Sequence, residues 1–198
     1  MKYARLVTSL LLDCVGDEFK CLPPALNCPP FVVFSGTQSL KDLLIYDLNI
    51  KPTLWPPKKY SSELVGGRVH GGFAARTNRL YSKIDDFIEQ HDNFVLGGHS
   101  LGGSCSILLA SLLKAQGKNI SSVYTFGVPK LATTEFEIYY KNQDLWTKTH
   151  NFVTPRDPVV NKIPYLYRSV GQYTELDFHS DSAWEHHDLS TYHNCLVE

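Results

Sequence analysis

The sequence of 198 residues lacks the features that mark membrane, nucleic-acid-binding and disordered proteins. No apolar run approaches the roughly 20 residues that a membrane-spanning helix needs, so we predict no integral membrane segment. The chain has no dense lysine or arginine run, and 19 basic residues against 20 acidic ones leave a formal charge of -1. We therefore expect no nucleic-acid partner. Hydrophobic residues make up 43% of the chain, which is typical of a compact globular protein.

Cysteines are too few, and odd in number, for a complete disulfide framework. The sequence has five of them, without the paired spacing of a zinc finger. Reduced thiols are the default interpretation and favour an intracellular, cytoplasmic protein. Secretion is the alternative, because two basic residues precede a short apolar stretch at residues 6–12 that resembles a signal peptide. We favour an amphipathic first helix, with Leu6, Leu10 and Cys14 on one face.

Runs rich in valine, isoleucine and phenylalanine alternate with longer helical patterns. This order predicts an α/β fold, with a mainly parallel central sheet flanked by helices. We predict strands near residues 31–35, 93–97, 122–126 and 150–154, and helices near residues 72–90 and 101–116. The proline-rich stretches 22–30 and 51–59 are interpreted as surface connections rather than domain boundaries. The sequence therefore predicts one domain over residues 1–198.

The pattern G-x-S-x-G follows the apolar run at residues 94–96. Here it reads Gly98-His99-Ser100-Leu101-Gly102, directly before a predicted helix. A serine nucleophile stands on a sharp strand-to-helix turn, where glycines avoid steric conflict and the helix amino terminus favours negative charge. The alternative is that Ser100 only caps the helix that follows it.

Six segments, in one order along the chain, resemble a known family. They are FSGT from Phe34, VHGGF from Val69, GHSLGG from Gly98, YTFGVP from Tyr124, DPVV from Asp157, and His187 with Tyr192. In this order they resemble the class 3, or fungal-type, lipase family of the α/β-hydrolase superfamily. The resemblance implies an α/β-hydrolase fold and a serine nucleophile at Ser100.

A serine hydroxyl needs a histidine base and a carboxylate that orients it. In α/β-hydrolases the acid follows the serine and precedes the histidine. Asp157 follows a predicted strand through Pro155, where spacing alone leaves a catalytic and an ordinary loop role open. The resemblance implies that Asp157 is the acid, ahead of Asp144 and Asp177.

Four histidines follow Asp157 and could serve as the base: His179, His186, His187 and His193. The resemblance implies His187, which precedes a short helix carrying a tyrosine. A competing interpretation takes this tail, with Cys195, as a transition-metal site. Its spacing matches no closed zinc pattern, so we predict no metal.

An acyl-transfer site also needs backbone donors for the oxyanion. The residue after the nucleophile usually supplies one, which here is Leu101, and the resemblance assigns the second to Thr37. A turn residue after Gly36 is the alternative role for Thr37.

These residues predict a serine ester hydrolase of the lipase type, acting on acylglycerol or other lipid esters through an acyl-enzyme. No phosphate-binding loop or dinucleotide fingerprint occurs, so we predict no cofactor. A catalytically silent lipase-like binding or signalling domain is one alternative, and a thioesterase or amidase on the same fold is another.

The apolar stretch between Thr37 and Lys59 suggests transient contact with a lipid surface. Residues 40–48 fit a helix that buries one apolar face against the sheet. Trp55, beside Pro56 and Pro57, is the better candidate for an exposed hydrophobic contact.

Overall fold

The computed structural model describes residues 3–14, 16–36, 50–58, 66–160 and 166–197. Its elements include a mainly parallel central sheet flanked by helices, which confirms the predicted α/β class. The strands are β1 (Phe19–Leu22), β2 (Phe31–Phe34), β3 (Pro52–Leu54), β4 (Arg68–His70), β5 (Asn93–His99), β6 (Asn119–Phe126), β7 (Thr149–Val153) and β8 (Gln172–Glu175). The helices are α1 (Ala4–Leu12), α2 (Gly71–Glu89), α3 (Leu101–Ala115), α4 (Thr134–Asn142) and α5 (Leu189–Val197), with a 3₁₀ turn at Glu185–His187.

Six strands form the central sheet, in the order β1-β2-β5-β6-β7-β8. Strand β1 is antiparallel to β2, and the other neighbouring pairs are parallel. His99 pairs with Phe126, and Phe126 pairs with Phe152. The carboxyl ends of β5, β6 and β7 therefore share one edge of the sheet, where ligands of open α/β sheets bind.

Helices cover both faces of this sheet, so its central strands β2 and β5 are apolar on both sides. Successive side chains of β2 alternate between the two cores: Phe31 and Val33 face α1 and α5, while Val32 and Phe34 face α2 and α3. Such continuous apolar runs are typical of parallel strands buried on both faces. The layers thus explain why the strands near residues 31–35 and 93–97 are recognisable from sequence.

The amphipathic first helix is confirmed as α1, with Leu10 and Cys14 buried as predicted and Leu6 as the exception. Val7, Leu10 and Leu11 are buried, whereas Leu6 is 42% exposed. A Cβ at Gly97 of β5 would lie 2.3 Å from Val7 Cγ1, so the missing side chain makes room for the helix. Helix α1 consequently packs directly behind the strand that leads to Ser100.

Trp55 is not exposed, so its predicted role as a lipid contact is wrong. Its side chain is 1% exposed, and its indole Nε1–H donates a hydrogen bond to the Leu108 carbonyl at 3.1 Å. Burial is favourable here because the indole finds both an apolar surface and an acceptor on α3.

The helix predicted at residues 40–48 lies outside the described residues. Among the helices of the described ranges, none is long and apolar enough to span a membrane.

Candidate active site

Ser100 stands on a strained turn between β5 and α3. Its backbone has φ 53° and ψ -125°, a region that non-glycine residues rarely adopt. The Ser100 N–H donates to the Phe126 carbonyl at 2.8 Å, which ties the turn to the neighbouring strand. A Cβ at Gly98 would lie 2.3 Å from the Gly102 carbonyl carbon, and one at Gly102 would lie 2.1 Å from the Phe34 oxygen. The two motif glycines therefore permit the close backbone packing of the turn that carries Ser100, whose side chain is largely buried.

The structure brings together the three residues predicted as a triad. Ser100 Oγ lies 3.0 Å from His187 Nε2, and His187 Nδ1 lies 2.9 and 2.8 Å from the two Asp157 oxygens. A carboxylate only accepts hydrogen bonds, so Nδ1 carries the ring proton. The Nε2 lone pair then faces the serine hydroxyl, which is the arrangement that proton removal requires.

Asp157 is held by two further donors. The Val159 N–H donates to Oδ1 at 2.8 Å, and the Tyr192 hydroxyl donates to Oδ2 at 2.6 Å. The carboxylate side chain is fully buried, so these bonds replace its hydration. Burial, reinforced by the adjacent carboxylate, raises the pKa of Tyr192, which keeps its hydroxyl protonated as a donor. The sequence motifs contain Tyr192, but they do not reveal this contact.

Gly127 packs against the histidine–aspartate pair, a role that sequence reasoning missed. It has φ +59°, and a Cβ there would lie 2.6 Å from Asp157 Oδ2 and 2.9 Å from His187 Nδ1. The one available signal is its place directly after a buried strand, within YTFGVP. Gly127 thus leaves the space that the pair occupies.

Of the two predicted oxyanion donors, the structure describes Leu101 but not Thr37. Leu101 is the first residue of α3, and the first N–H groups of a helix have no intrahelical acceptor. Thr37 lies outside the described residues. The described chain before it approaches the nucleophile, because a Cβ at Gly36 would be 3.4 Å from Ser100 Cβ.

The other sequence candidates lie away from the serine. Asp177 and His179 contact each other at 3.4 Å with side chains at least 90% exposed, and Asp144 is also exposed. His186 is buried, with its Nε2 3.2 Å from the Ser180 carbonyl. His193 Nδ1 contacts the Thr8 hydroxyl of α1 at 2.8 Å. Within the described ranges, no cluster of three or more His, Cys, Asp or Glu could hold a metal ion.

Comparisons with known proteins agree with this fold. Residues 31–167 match the family model of class 3 lipases. The chain is 30% identical over 154 residues to Toxin TseL of Vibrio cholerae, covering 73% of this chain and 23% of the toxin. It is also 30% identical over 119 residues to a lipase of Rhizomucor miehei, covering 55% of this chain and 31% of that lipase.

A similar fold occurs among solved structures. The nonglycosylated LIP2 lipase of Yarrowia lipolytica superposes with a TM-score of 0.64 at 20% identity, over 89% of this chain and 78% of that one. This likeness shows the α/β-hydrolase fold. The chain spans less than a third of the length of the curated relatives it matches. Because the family model covers more than half of the chain, the protein belongs to the class 3 lipase family.

Proposed function

We propose that this chain is a serine ester hydrolase of the lipase type, with Ser100 as nucleophile, His187 as base and Asp157 as acid. The observation that carries the proposal is the continuous hydrogen-bonded path from Ser100 Oγ through His187 to Asp157, with contacts of 3.0 and 2.8 Å. A strained serine at the carboxyl edge of a parallel sheet supports the same assignment.

The proposed cycle forms and hydrolyses an acyl-enzyme. His187 Nε2 takes the hydroxyl proton while Ser100 Oγ attacks the ester carbonyl carbon. The Leu101 N–H and Thr37 are proposed to stabilise the resulting oxyanion. His187 then gives the proton to the leaving alcohol, and the carbon–oxygen bond breaks. Water attacks the acyl-enzyme carbonyl as His187 takes its proton. His187 then returns that proton to Ser100 Oγ as the bond between Oγ and the acyl carbon breaks, and the carboxylic acid leaves.

Asp157 serves this cycle by stabilising the imidazolium that forms twice. Its two oxygens both lie within 2.9 Å of His187 Nδ1, and it receives hydrogen bonds from Val159 and Tyr192. A carboxylate held in this way orients the ring and keeps its proton on Nδ1. No step of the cycle requires a cofactor.

Lipid esters, including acylglycerols, are the proposed substrates. The names of two relatives, Lipase and Triacylglycerol lipase OBL1, support this class. With Trp55 buried, other side chains are proposed for transient contact with a lipid surface. Ile50, Leu54 and Leu166 are each about half exposed.

A single domain over residues 1–198 is proposed, because described segments near both termini pack on one sheet.

The test is hydrolysis of p-nitrophenyl esters of increasing chain length and of emulsified triacylglycerol, comparing the purified chain with Ser100→Ala. We expect long acyl chains to be preferred and Ser100→Ala to lower kcat by roughly 10⁴-fold or more. Ser111→Ala, which removes a buried serine from the same helix far from the turn, is the matched control and should retain activity.

The rival functions give different results. If no ester or emulsified lipid shows Ser100-dependent turnover, the proposal fails and a silent binding domain is favoured. If matched acyl thioesters or amides are cleaved faster than the oxygen esters, the chain is a thioesterase or amidase on this fold.

A further inference from the structure

His99 lies beside Ser100 in sequence, but its side chain contacts the segment that carries His187. His99 Nε2 lies 2.8 Å from the His187 backbone carbonyl oxygen. The two imidazole rings are 4.7 Å apart between centroids and tilted by 37°. A residue of the β5 end therefore contacts both the backbone and the ring of His187.

The tautomer of His99 follows from this contact. A backbone carbonyl only accepts hydrogen bonds, so Nε2 carries the proton and donates it. Burial, followed by the nearby charge of His187, lowers the pKa of His99 to about 4. The hydrogen bond to the His187 backbone, followed by the charges of Asp157 and Asp188, opposes this lowering of the His99 pKa only in part. His99 consequently stays uncharged near neutral pH, and places no second positive charge beside the His187 imidazolium.

His187 ends a three-residue 3₁₀ turn, Glu185–His187, in which hydrogen-bond geometry is poorer than in an α-helix. Within the turn the His187 N–H donates to the Trp184 carbonyl at 3.0 Å, and further hydrogen bonds come from the sheet. Two successive carbonyls of the turn accept hydrogen bonds from strand ends. Thr154 Oγ donates to the His186 carbonyl at 2.6 Å, and His99 donates to the next one.

We propose that His99 is a positioning residue, whose Nε2–H bond to the His187 carbonyl fixes the backbone from which the His187 ring reaches Ser100. The proposal rests on the proposed function of His187 as base. It predicts an effect on kcat rather than on substrate affinity, because the contact acts on the proton-transfer geometry.

Variants with side chains of similar length test whether the hydrogen-bond donor at position 99 is what matters. In His99→Gln the amide nitrogen lies as many bonds from Cα as His Nε2, so the hydrogen bond can be retained. His99→Met has the same reach without a donor, and the amide of His99→Asn falls one bond short. We expect His99→Gln to keep kcat close to wild type. The Met and Asn variants should lose about ten- to hundredfold in kcat with little change in KM.

A measurement independent of turnover separates this inference from the proposed function. The low-field proton NMR signal of His187 Nδ1–H reports the bond to Asp157. It should persist in wild type and His99→Gln, and should shift or broaden in the Met and Asn variants. Thermal unfolding confirms that each variant is folded. Because Asn retains polarity, it also replaces the Met variant if that one does not fold.

Two outcomes would overturn the inference: full kcat with an unchanged signal in the variants without a donor, or equal losses in folded Gln, Met and Asn variants. A wild-type chain without Ser100-dependent turnover would defeat the proposed function alone. The NMR comparison would then decide the role of His99.

Discussion

Gly127 occupies a position at which any side chain would displace the histidine–aspartate pair. Its φ of +59° disfavours residues with a side chain, and a Cβ there would lie 2.6 Å from Asp157 Oδ2. Gly127→Ala should therefore lower kcat by at least about tenfold, since a displacement of an ångström is sufficient for a large loss. Gly117 is the matched control: it has φ +81° but open space around it, so Gly117→Ala costs only backbone strain.

The test is kcat and thermal stability measured on both glycine variants. Equal activity of Gly127→Ala and Gly117→Ala would contradict a role for Gly127 in the site.

Tyr192 joins α5 to Asp157 through a single hydroxyl. Tyr192→Phe removes the 2.6 Å bond but leaves the Val159 N–H on the same carboxylate. We expect kcat to fall by about three- to thirtyfold, with a stability loss of about 1–2 kcal/mol for one buried hydrogen bond.

Tyr140→Phe gives the comparison for Tyr192→Phe. Tyr140 is equally buried, and its hydroxyl contacts Thr149 at 2.7 Å away from the site. This variant should lose similar stability in a urea titration and retain kcat. A Tyr192→Phe enzyme with unchanged kcat would show that the bond serves stability alone.

At the scale of elements, Glu18 connects the start of β1 to α2. Its carboxylate contacts Arg79 and lies 2.7 Å from Lys83 Nζ. The Arg79 hydrogen bond, with a contribution from Lys83, lowers the pKa of Glu18 to about 2. Because the folded pKa lies below the ordinary 4.5, this stabilisation is present above pH 4.5 and is lost as the pH falls toward 2.

Glu18→Gln should lower the free energy of unfolding at pH 7 by about 1 kcal/mol and flatten its dependence between pH 4.5 and 2. Glu137→Gln is the control, because the 2.7 Å contact of Glu137 with Lys141 lies within one helix and connects no separate elements. Denaturant titrations across this pH range measure both variants. If the two variants lose equal stability at every pH, Glu18 does not fasten β1 to α2.

The elements recognised from sequence are those with strong apolar patterns. The strands predicted near residues 31–35, 93–97, 122–126 and 150–154 are β2, β5, β6 and β7. Strands β3 and β4 have three residues each, and all four residues of β8 are exposed, so none of them shows a buried alternation. Their pairing depends on contacts with other strands, and the β-propensity of the residues in a short segment does not predict such contacts.

The stability of the whole molecule should depend on His99 in mild acid. Burial lowers its folded pKa to about 4, below the ordinary 6.5, so the unfolded chain binds a proton in this interval that the folded chain does not. Stability is therefore full above about pH 6.5 and falls as the pH decreases toward 4. Below about pH 4, protonation of Glu18 lowers the stability of the folded chain further.

His99→Gln should flatten the pH dependence of unfolding between pH 6.5 and 4, because glutamine does not titrate. His179→Gln, which changes a side chain that is 90% exposed, should leave the slope as in wild type. Urea titrations at half-unit pH steps provide the measurement. A slope that persists in His99→Gln would assign the acid sensitivity to other groups.

The sequence by itself determined the features that are written locally: alternating strands and helices, and a serine between glycines at a strand-to-helix turn. Tertiary structure decided which distant groups meet. Ser100 and His187 are 87 residues apart in the sequence. Four histidines follow Asp157, and the packing of α5 and its preceding turn is what brings His187 Nε2 to 3.0 Å from Ser100 Oγ. Packing also buried Trp55, which its proline neighbours had suggested was exposed. Periodicity records the faces of single elements, whereas the contacts among strand ends, turns and helices depend on how those faces are stacked.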